Sequence, residues 1–148
     1  MKKMRVAIIG QGRSGKQIHG AFYKSASNDL CEVVAVVEAD TKRREKAAEE
    51  YGCDVYSDYT ELFSRNDIDL VVNASYSYMH YPITRELLLH GFNVLCEKPF
   101  GRTYFECAEL IRIAREKKVV VAVFHQSLLA PYFLKVKEII ESGKLGDV

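Results

Sequence analysis

Six short apolar runs, at 5–9, 32–38, 55–56, 70–74, 94–96 and 119–124, alternate along the chain with stretches of helical periodicity. Most of the runs are continuous in Val, Ile, Leu and Ala rather than alternating with polar residues. That pattern predicts strands buried on both faces, as in a parallel sheet. The segments between them carry helix signals. Residues 14–25 follow a glycine turn and place Ile18, Ala21 and Phe22 on one stripe. Thr41 can cap a helix to Tyr51 that Gly52 ends, and Asp58 with Glu61 forms a capping-box pattern for a short helix through Ser64. Pro82 suits the first turn of a helix ending at Gly91. Thr103 with Glu106 is a second capping-box pattern, opening a helix to Lys117 with Cys107, Leu110, Ile111 and Ala114 on its apolar face. Pro131 opens a last helix over 131–142, with Gly143 as its C-terminal cap. Strand and helix in alternation imply right-handed crossovers and an α/β, doubly wound parallel sheet of expected strand order 3-2-1-4-5-6. Ligands in such a sheet sit outside the carboxyl ends of strands 1 and 4, where the order reverses. Residues just after Ala74, Cys96 and Phe124 are therefore expected to face the same crevice as the turn after strand 1.

That turn reads Gly10-Gln11-Gly12-Arg13-Ser14-Gly15, a G-x-G-x-x-G between a predicted strand and a predicted helix. Gly10 lets the chain leave the strand sharply, Gly12 leaves the backbone open to a pyrophosphate, and Gly15 lets the helix pack close to the strand. The helix N-terminus offers free N–H groups and partial positive charge to the phosphates, with Gln11, Arg13 and Ser14 as further contacts within the turn. The second apolar run ends at Glu38, at about the ~20-residue offset where an acidic side chain accepts hydrogen bonds from an adenosine ribose. Glycine turns also occur for packing alone. Turn, offset and position at the start of the chain together predict a dinucleotide-binding domain of Rossmann type.

A length of 148 residues fits one domain with a sizeable core, and 48% hydrophobic with 28% charged residues is ordinary for a soluble globular protein. The net charge of +1 gives no bulk attraction to nucleic acid or anionic membranes, and Lys42, Arg43 and Arg44 are balanced by Glu45, Glu49 and Glu50. No apolar run nears the ~18 residues of a membrane span. The stretch after the N-terminal lysines is too short for a signal peptide, so a cytoplasmic location is expected. Cys31, Cys53, Cys96 and Cys107 form no C-x-x-C and the histidines are scattered. No metal site is predicted, and four free, mostly buried thiols are expected.

Two strand ends carry further chemistry. After strand 4 comes Ser75-Tyr76-Ser77-Tyr78-Met79-His80-Tyr81-Pro82, whose hydroxyls and rings suit contacts to a diphosphate or nicotinamide, or equally a plain helix start. After strand 5 comes Cys96-Glu97-Lys98-Pro99. A charged pair at the mouth of a buried sheet is costly unless used or paired. Either Glu97 accepts from ribose hydroxyls and Lys98 holds a substrate oxygen or shuttles its proton, or the two form a surface salt bridge at a turn.

The order of these motifs resembles the N-terminal domain of the glucose–fructose oxidoreductase, inositol dehydrogenase and rhizopine-catabolism (Gfo/Idh/MocA) family. The matching pieces are Val6-Ala7-Ile8-Ile9-Gly10-Gln11-Gly12, Glu38, His80, the run from Gly91 to Pro99 that holds Glu97-Lys98-Pro99, and the tail from Gly143 to Val148. The resemblance implies a nicotinamide-dependent oxidoreductase acting on sugars, polyols or related cyclic alcohols, with Lys98 as the catalytic residue beside substrate and nicotinamide. It implies cofactor contacts from Glu97 and Lys98, from Ser75, Tyr76 and His80 after strand 4, and from Gln126 after strand 6. Ser75-Tyr76 stands where the family usually has Thr-Pro, and His125-Gln126-Ser127-Leu128-Leu129-Ala130-Pro131 lacks an Arg often found there. The implied layout is a dinucleotide-binding domain over 1–124 and a connecting segment over 125–148. That segment leads to a substrate and dimerisation half that this chain does not contain. The chain alone is then expected to bind cofactor with little turnover, and the longer protein to be a homo-oligomer. Glu38 favours NAD, since it repels a 2′-phosphate, while Lys42, Arg43 and Arg44 keep NADP open. The rivals are an NAD(H)-binding redox sensor without catalysis and a methyltransferase, which leaves Glu97-Lys98-Pro99 unexplained.

Overall fold

Val6 and Ile8 face one side of the first strand, Ala7 and Ile9 the other, and all four are buried. The computed structural model, which describes residues 2–147, repeats this two-faced burial through the centre of its sheet. Its strands are β1 (Met4–Ile9), β2 (Cys31–Val37), β3 (Asp54–Tyr56), β4 (Leu70–Asn73), β5 (Val94–Glu97) and β6 (Val121–Phe124). They run parallel in the order β3-β2-β1-β4-β5-β6, the doubly wound order expected. One face packs Val6, Ile8, Val36 and Val72 with Ala47; the other packs Ala7, Val71 and Val94 with Leu62, Leu87 and Leu110. Continuous apolar strands are what such a sandwich of helix, sheet and helix requires.

The helices are α1 (Arg13–Gly20, then Ala21–Tyr23), α2 (Thr41–Tyr51), α3 (His80–Leu89), α4 (Tyr104–Lys117) and α5 (Pro131–Glu141), with short 3-10 turns at Tyr59–Ser64, Ser77–Met79 and Gln126–Leu129. The first part of α1 is π-helical. Its i→i+5 repeat stacks Gly20 over Gly15, so Gly15, His19 and Gly20 are buried, whereas Ala21 and Phe22, expected on the apolar stripe, are exposed. Asp40 rather than Thr41 caps α2, its carboxylate accepting the Arg43 N–H at 2.9 Å. The Asp58–Glu61 capping box forms as predicted, on a 3-10 turn. At α4, Thr103 accepts the Glu106 N–H, but the Glu106 carboxylate takes the Arg102 amide and guanidinium instead of closing the box. Ile113 rather than Ile111 lies in the core beneath α4. The four cysteines are free, yet only Cys96 is buried; Cys31, Cys53 and Cys107 are half-buried. No residue of α5 is buried.

Candidate crevice at the carboxyl edge of the sheet

The glycine turn, the end of β2 and the end of β4 enclose a cavity of about 420 Å³. Gly10 stands at φ +91°, and a Cβ there would lie 2.5 Å from Ala74 O, so both conformation and space demand glycine. A Cβ on Gly15 would lie 1.8 Å from Gly10 O, which brings α1 directly against the turn. Gly12 differs: a Cβ there meets nothing within 4 Å, and the residue lines the cavity as the uncapped N-cap of α1. A bare backbone and a helix N-terminus thus face the same space, together with Arg13 and Ser14.

Glu38 enters from the end of β2. Its Oε2 accepts the Gln11 N–H at 2.7 Å and its Oε1 the Asp40 N–H at 3.0 Å. A carboxylate offers about four lone-pair sites, so two acceptor positions remain for hydroxyl groups in the cavity. Of the three cations weighed for a 2′-phosphate, Arg44 donates to Glu38 O and Ala39 O, while Arg43 lines the cavity. Ser57, Asp58 and Tyr59 form the wall beyond β3. None of these is expected in the crevice from the sequence, in which Asp58 reads only as a helix cap, although they follow a strand end on the same edge as the others.

Asn73, fully buried at the end of β4, folds the next loop onto itself. Its amide donates to His80 O and Thr84 Oγ1, and its Oδ1 accepts the Ser75 hydroxyl at 2.6 Å. Ser75 and Tyr76 line the cavity. Tyr76 is exposed and lies nearly parallel to the exposed ring of Tyr78, centroids 5.8 Å apart. His80 is buried beneath the loop, with Nδ1 2.8 Å from Pro99 O and Nε2 3.1 Å from Ser75 O.

Beyond the cavity, at the ends of β5 and β6, lie Glu97, Lys98 and Gln126. Glu97 is buried: its Oε1 accepts the Nε2–H of His19 at 3.0 Å, and its Oε2 the Lys98 N–H at 3.3 Å. Lys98 is exposed, and among the described residues its ammonium has no ion-pair partner, so the Glu97–Lys98 surface salt bridge does not form. Gln126 is exposed on the turn after β6. The sequence reading missed His19, whose ring packs against Phe124 with centroids 4.5 Å apart. The available signal was a lone histidine one turn past Gly15. Burial lowers the His19 pKa, and Glu97 opposes that shift. Among the described residues no His, Cys, Asp or Glu cluster suits a metal ion, and no helix is long and apolar enough to cross a membrane.

The sequence model of an oxidoreductase family, GFO_IDH_MocA, with an NAD-binding Rossmann fold, matches residues 4–125. The chain is 32% identical over 148 residues to the 2,7-anhydro-N-acetylneuraminate hydratase of Mediterraneibacter gnavus, covering all of this chain and 38% of that protein. It is 30% identical over 146 residues to the NADP(+)-dependent scyllo-inositol 2-dehydrogenase IolW of Bacillus subtilis, covering 98% and 39%. Among solved structures, the WlbA dehydrogenase of Chromobacterium violaceum in complex with NADH and UDP-GlcNAcA superposes with a TM-score of 0.86. That pair is 25% identical, and the match covers 99% of this chain and 42% of WlbA. The chain therefore spans roughly two fifths of the length of the proteins it matches.

Proposed function

The chain belongs to the Gfo/Idh/MocA oxidoreductase family, and from that premise we propose that it is the cofactor-binding half of a nicotinamide-dependent oxidoreductase acting on a sugar, polyol or related cyclic alcohol. The observation that carries this reading is the bare backbone of Gly12 beside the half-satisfied carboxylate of Glu38 in one cavity. The N-terminus of α1, with Arg13 and Ser14, would hold the pyrophosphate, and Glu38 the hydroxyls of the adenosine ribose. Ser75 and Tyr76 would close the cavity from the β4 side. Bound nicotinamide supplies hydride exchange with a substrate carbon. Lys98, exposed and free of ion pairs among the described residues, would sit beside the substrate hydroxyl or carbonyl oxygen and steady its charge or pass its proton. Glu38 favours NAD over NADP, since it disfavours an added phosphate at the ribose.

Residues 1–124 form the dinucleotide-binding domain in this reading, and 125–148 the connection to the substrate half. The unburied apolar residues of α5, among them Leu134, Val136 and Ile140, support a further packing partner in the longer protein, as does the length of its relatives. That protein is expected to assemble with copies of itself, and the 148-residue chain to bind cofactor with little or no turnover. Titration of this chain with NADH and NADPH, followed by nicotinamide fluorescence, tests the reading. Saturable NADH binding that is weaker for NADPH and reduced by Glu38→Ala supports it. Absence of binding of either cofactor, in this chain and in the longer protein, overturns it.

A further inference from the structure

Glu97, the last residue of β5, is followed by Lys98 and Pro99, and the outer two of these three each meet a buried histidine from a different helix. On one side His19, from α1, donates Nε2–H to Glu97 Oε1 at 3.0 Å, and both side chains are no more than 5% exposed. The other oxygen of that carboxylate faces the Lys98 amide. On the other side His80, at the start of α3 and 2% exposed, places Nδ1 2.8 Å from Pro99 O, with its second nitrogen 3.1 Å from Ser75 O. The side chain between these two contacts, that of Lys98, is exposed.

We propose that His19 and His80 are positioning residues that fix the Lys98 backbone between the glycine-turn helix and the loop after β4. The proposal rests on the reading of Lys98 as the residue that meets substrate and nicotinamide. A buried carboxylate must find donors, and a neutral imidazole supplies one without burying a second full charge. The carbonyl of Pro99 lies within hydrogen-bond reach of His80 Nδ1, and the same buried ring also bears on Ser75, a residue of the cavity wall. Both histidines therefore join the Lys98 segment to elements that line the cavity: α1 begins at the Gly12 N-cap, and Ser75 follows β4. A lysine has a long, flexible stem, so the origin of its reach is set by the backbone. Placement errors near ~1 Å matter in hydride and proton transfer, which is the reason for two independent anchors on one residue.

Backbone ¹⁵N relaxation of the 148-residue chain, without cofactor, tests this directly. In the unsubstituted chain Lys98 is expected in the rigid range, with an order parameter near 0.85. His19→Ala or His80→Ala should lower it below about 0.6 while Val36 and Val72 in the sheet centre stay rigid, and His19→Gln, which keeps a donor, should restore it. Lys98 remaining rigid in both alanine variants overturns the proposal, as does loosening of Lys98 together with Val36 and Val72. Should the alanine variants fail to fold, Glu97→Gln decides. Its amide can still accept from His19 but presents NH₂ to the Lys98 N–H, so Lys98 alone should loosen; an unchanged Lys98 refutes the anchor. NADH titration of the same samples separates this from the functional reading: a rigid, histidine-dependent Lys98 in a chain that binds no NADH leaves the anchors standing and removes the assigned role of Lys98.

Discussion

Glu38 Oε2 lies 2.7 Å from the Gln11 nitrogen and accepts its N–H, so the side chain proposed to read a ribose also ties the end of β2 to the glycine turn. The two roles coincide because the carboxylate has acceptor positions to spare. Hydrogen bonds to charged groups are each worth about 1.5–3 kcal/mol, so Glu38→Ala should weaken NADH binding by roughly 10–100-fold. NADPH should lose less, because Arg43 remains at the cavity wall. Paired fluorescence titrations with the two cofactors measure both effects. Equal losses for NADH and NADPH would show that Glu38 acts only through the turn.

The glycines separate packing from ligand approach. A methyl at position 15 would collide with Gly10 O at 1.8 Å, whereas one at position 12 meets nothing within 4 Å. Gly15→Ala should therefore cost about 1–3 kcal/mol or more, as overpacking does, and lower Tm by several degrees. Gly12→Ala should stay within about 0.5 kcal/mol of the unsubstituted chain yet bind NADH at least tenfold more weakly, because its methyl fills space open to a pyrophosphate. Thermal denaturation and NADH titration on the same two variants check this. A stable Gly12→Ala chain with unaltered affinity would move the phosphate site elsewhere.

Strand order was legible because continuous runs such as 70–74 exclude a one-sided sheet, and the glycine turn was legible because its spacing carries its geometry. The α1 stripe was not. Apolar periodicity assumes the ordinary helical repeat, and the π-helical winding that brings Gly20 over Gly15 rotates His19 inward and Phe22 outward. The partner of Glu97 was hidden for a related reason: the local sequence offers Lys98, one position away, whereas the buried carboxylate pairs with His19 across the sheet. At the opposite edge, Arg5 and Arg65 converge on Asp67 and hold its carboxyl well below the usual carboxylate range, although Arg5 and Asp67 stand far apart in sequence. Pairings of this kind depend on which loops the topology brings together, and no spacing rule reports them. The tail of the crevice wall, Ser57 to Tyr59, was missed because the short run at 55–56 reads only as a strand and Asp58 only as a helix cap, while the crevice is expected beside the strands flanking the switch point.

Burial lowers the His19 pKa below its ordinary value of about 6.5, so between the two values the unfolded chain binds more protons than the folded one. Stability should then be complete above about pH 6.5 and fall as pH drops below it, until the folded-state value is passed. Urea midpoints measured between pH 7.5 and about 5 should decline in the unsubstituted chain, and His19→Gln should flatten that decline. A decline of equal slope in His19→Gln would assign the effect to another group.

Lys98 stands outside the cavity formed by Gly12, Glu38 and Ser75, so the two halves of a dinucleotide should respond to different substitutions. Its side chain is exposed and, among the described residues, without an ion-pair partner, so Lys98→Met should change stability by no more than about 0.5 kcal/mol. ADP-ribose, which lacks the nicotinamide, should bind Lys98→Met and the unsubstituted chain alike, and NADH fluorescence in the variant should change in intensity or affinity. Gly12→Ala should weaken both ligands. In the longer protein Lys98→Met should lower kcat by about 10²–10⁴-fold, the range for removing a positioned acid–base group, with a smaller effect on cofactor affinity. Isothermal titration with ADP-ribose and with NADH, followed by steady-state kinetics, distinguishes these outcomes. Loss of ADP-ribose binding in Lys98→Met would place this lysine on the adenosine side and reverse the assignment of the two ends of the crevice.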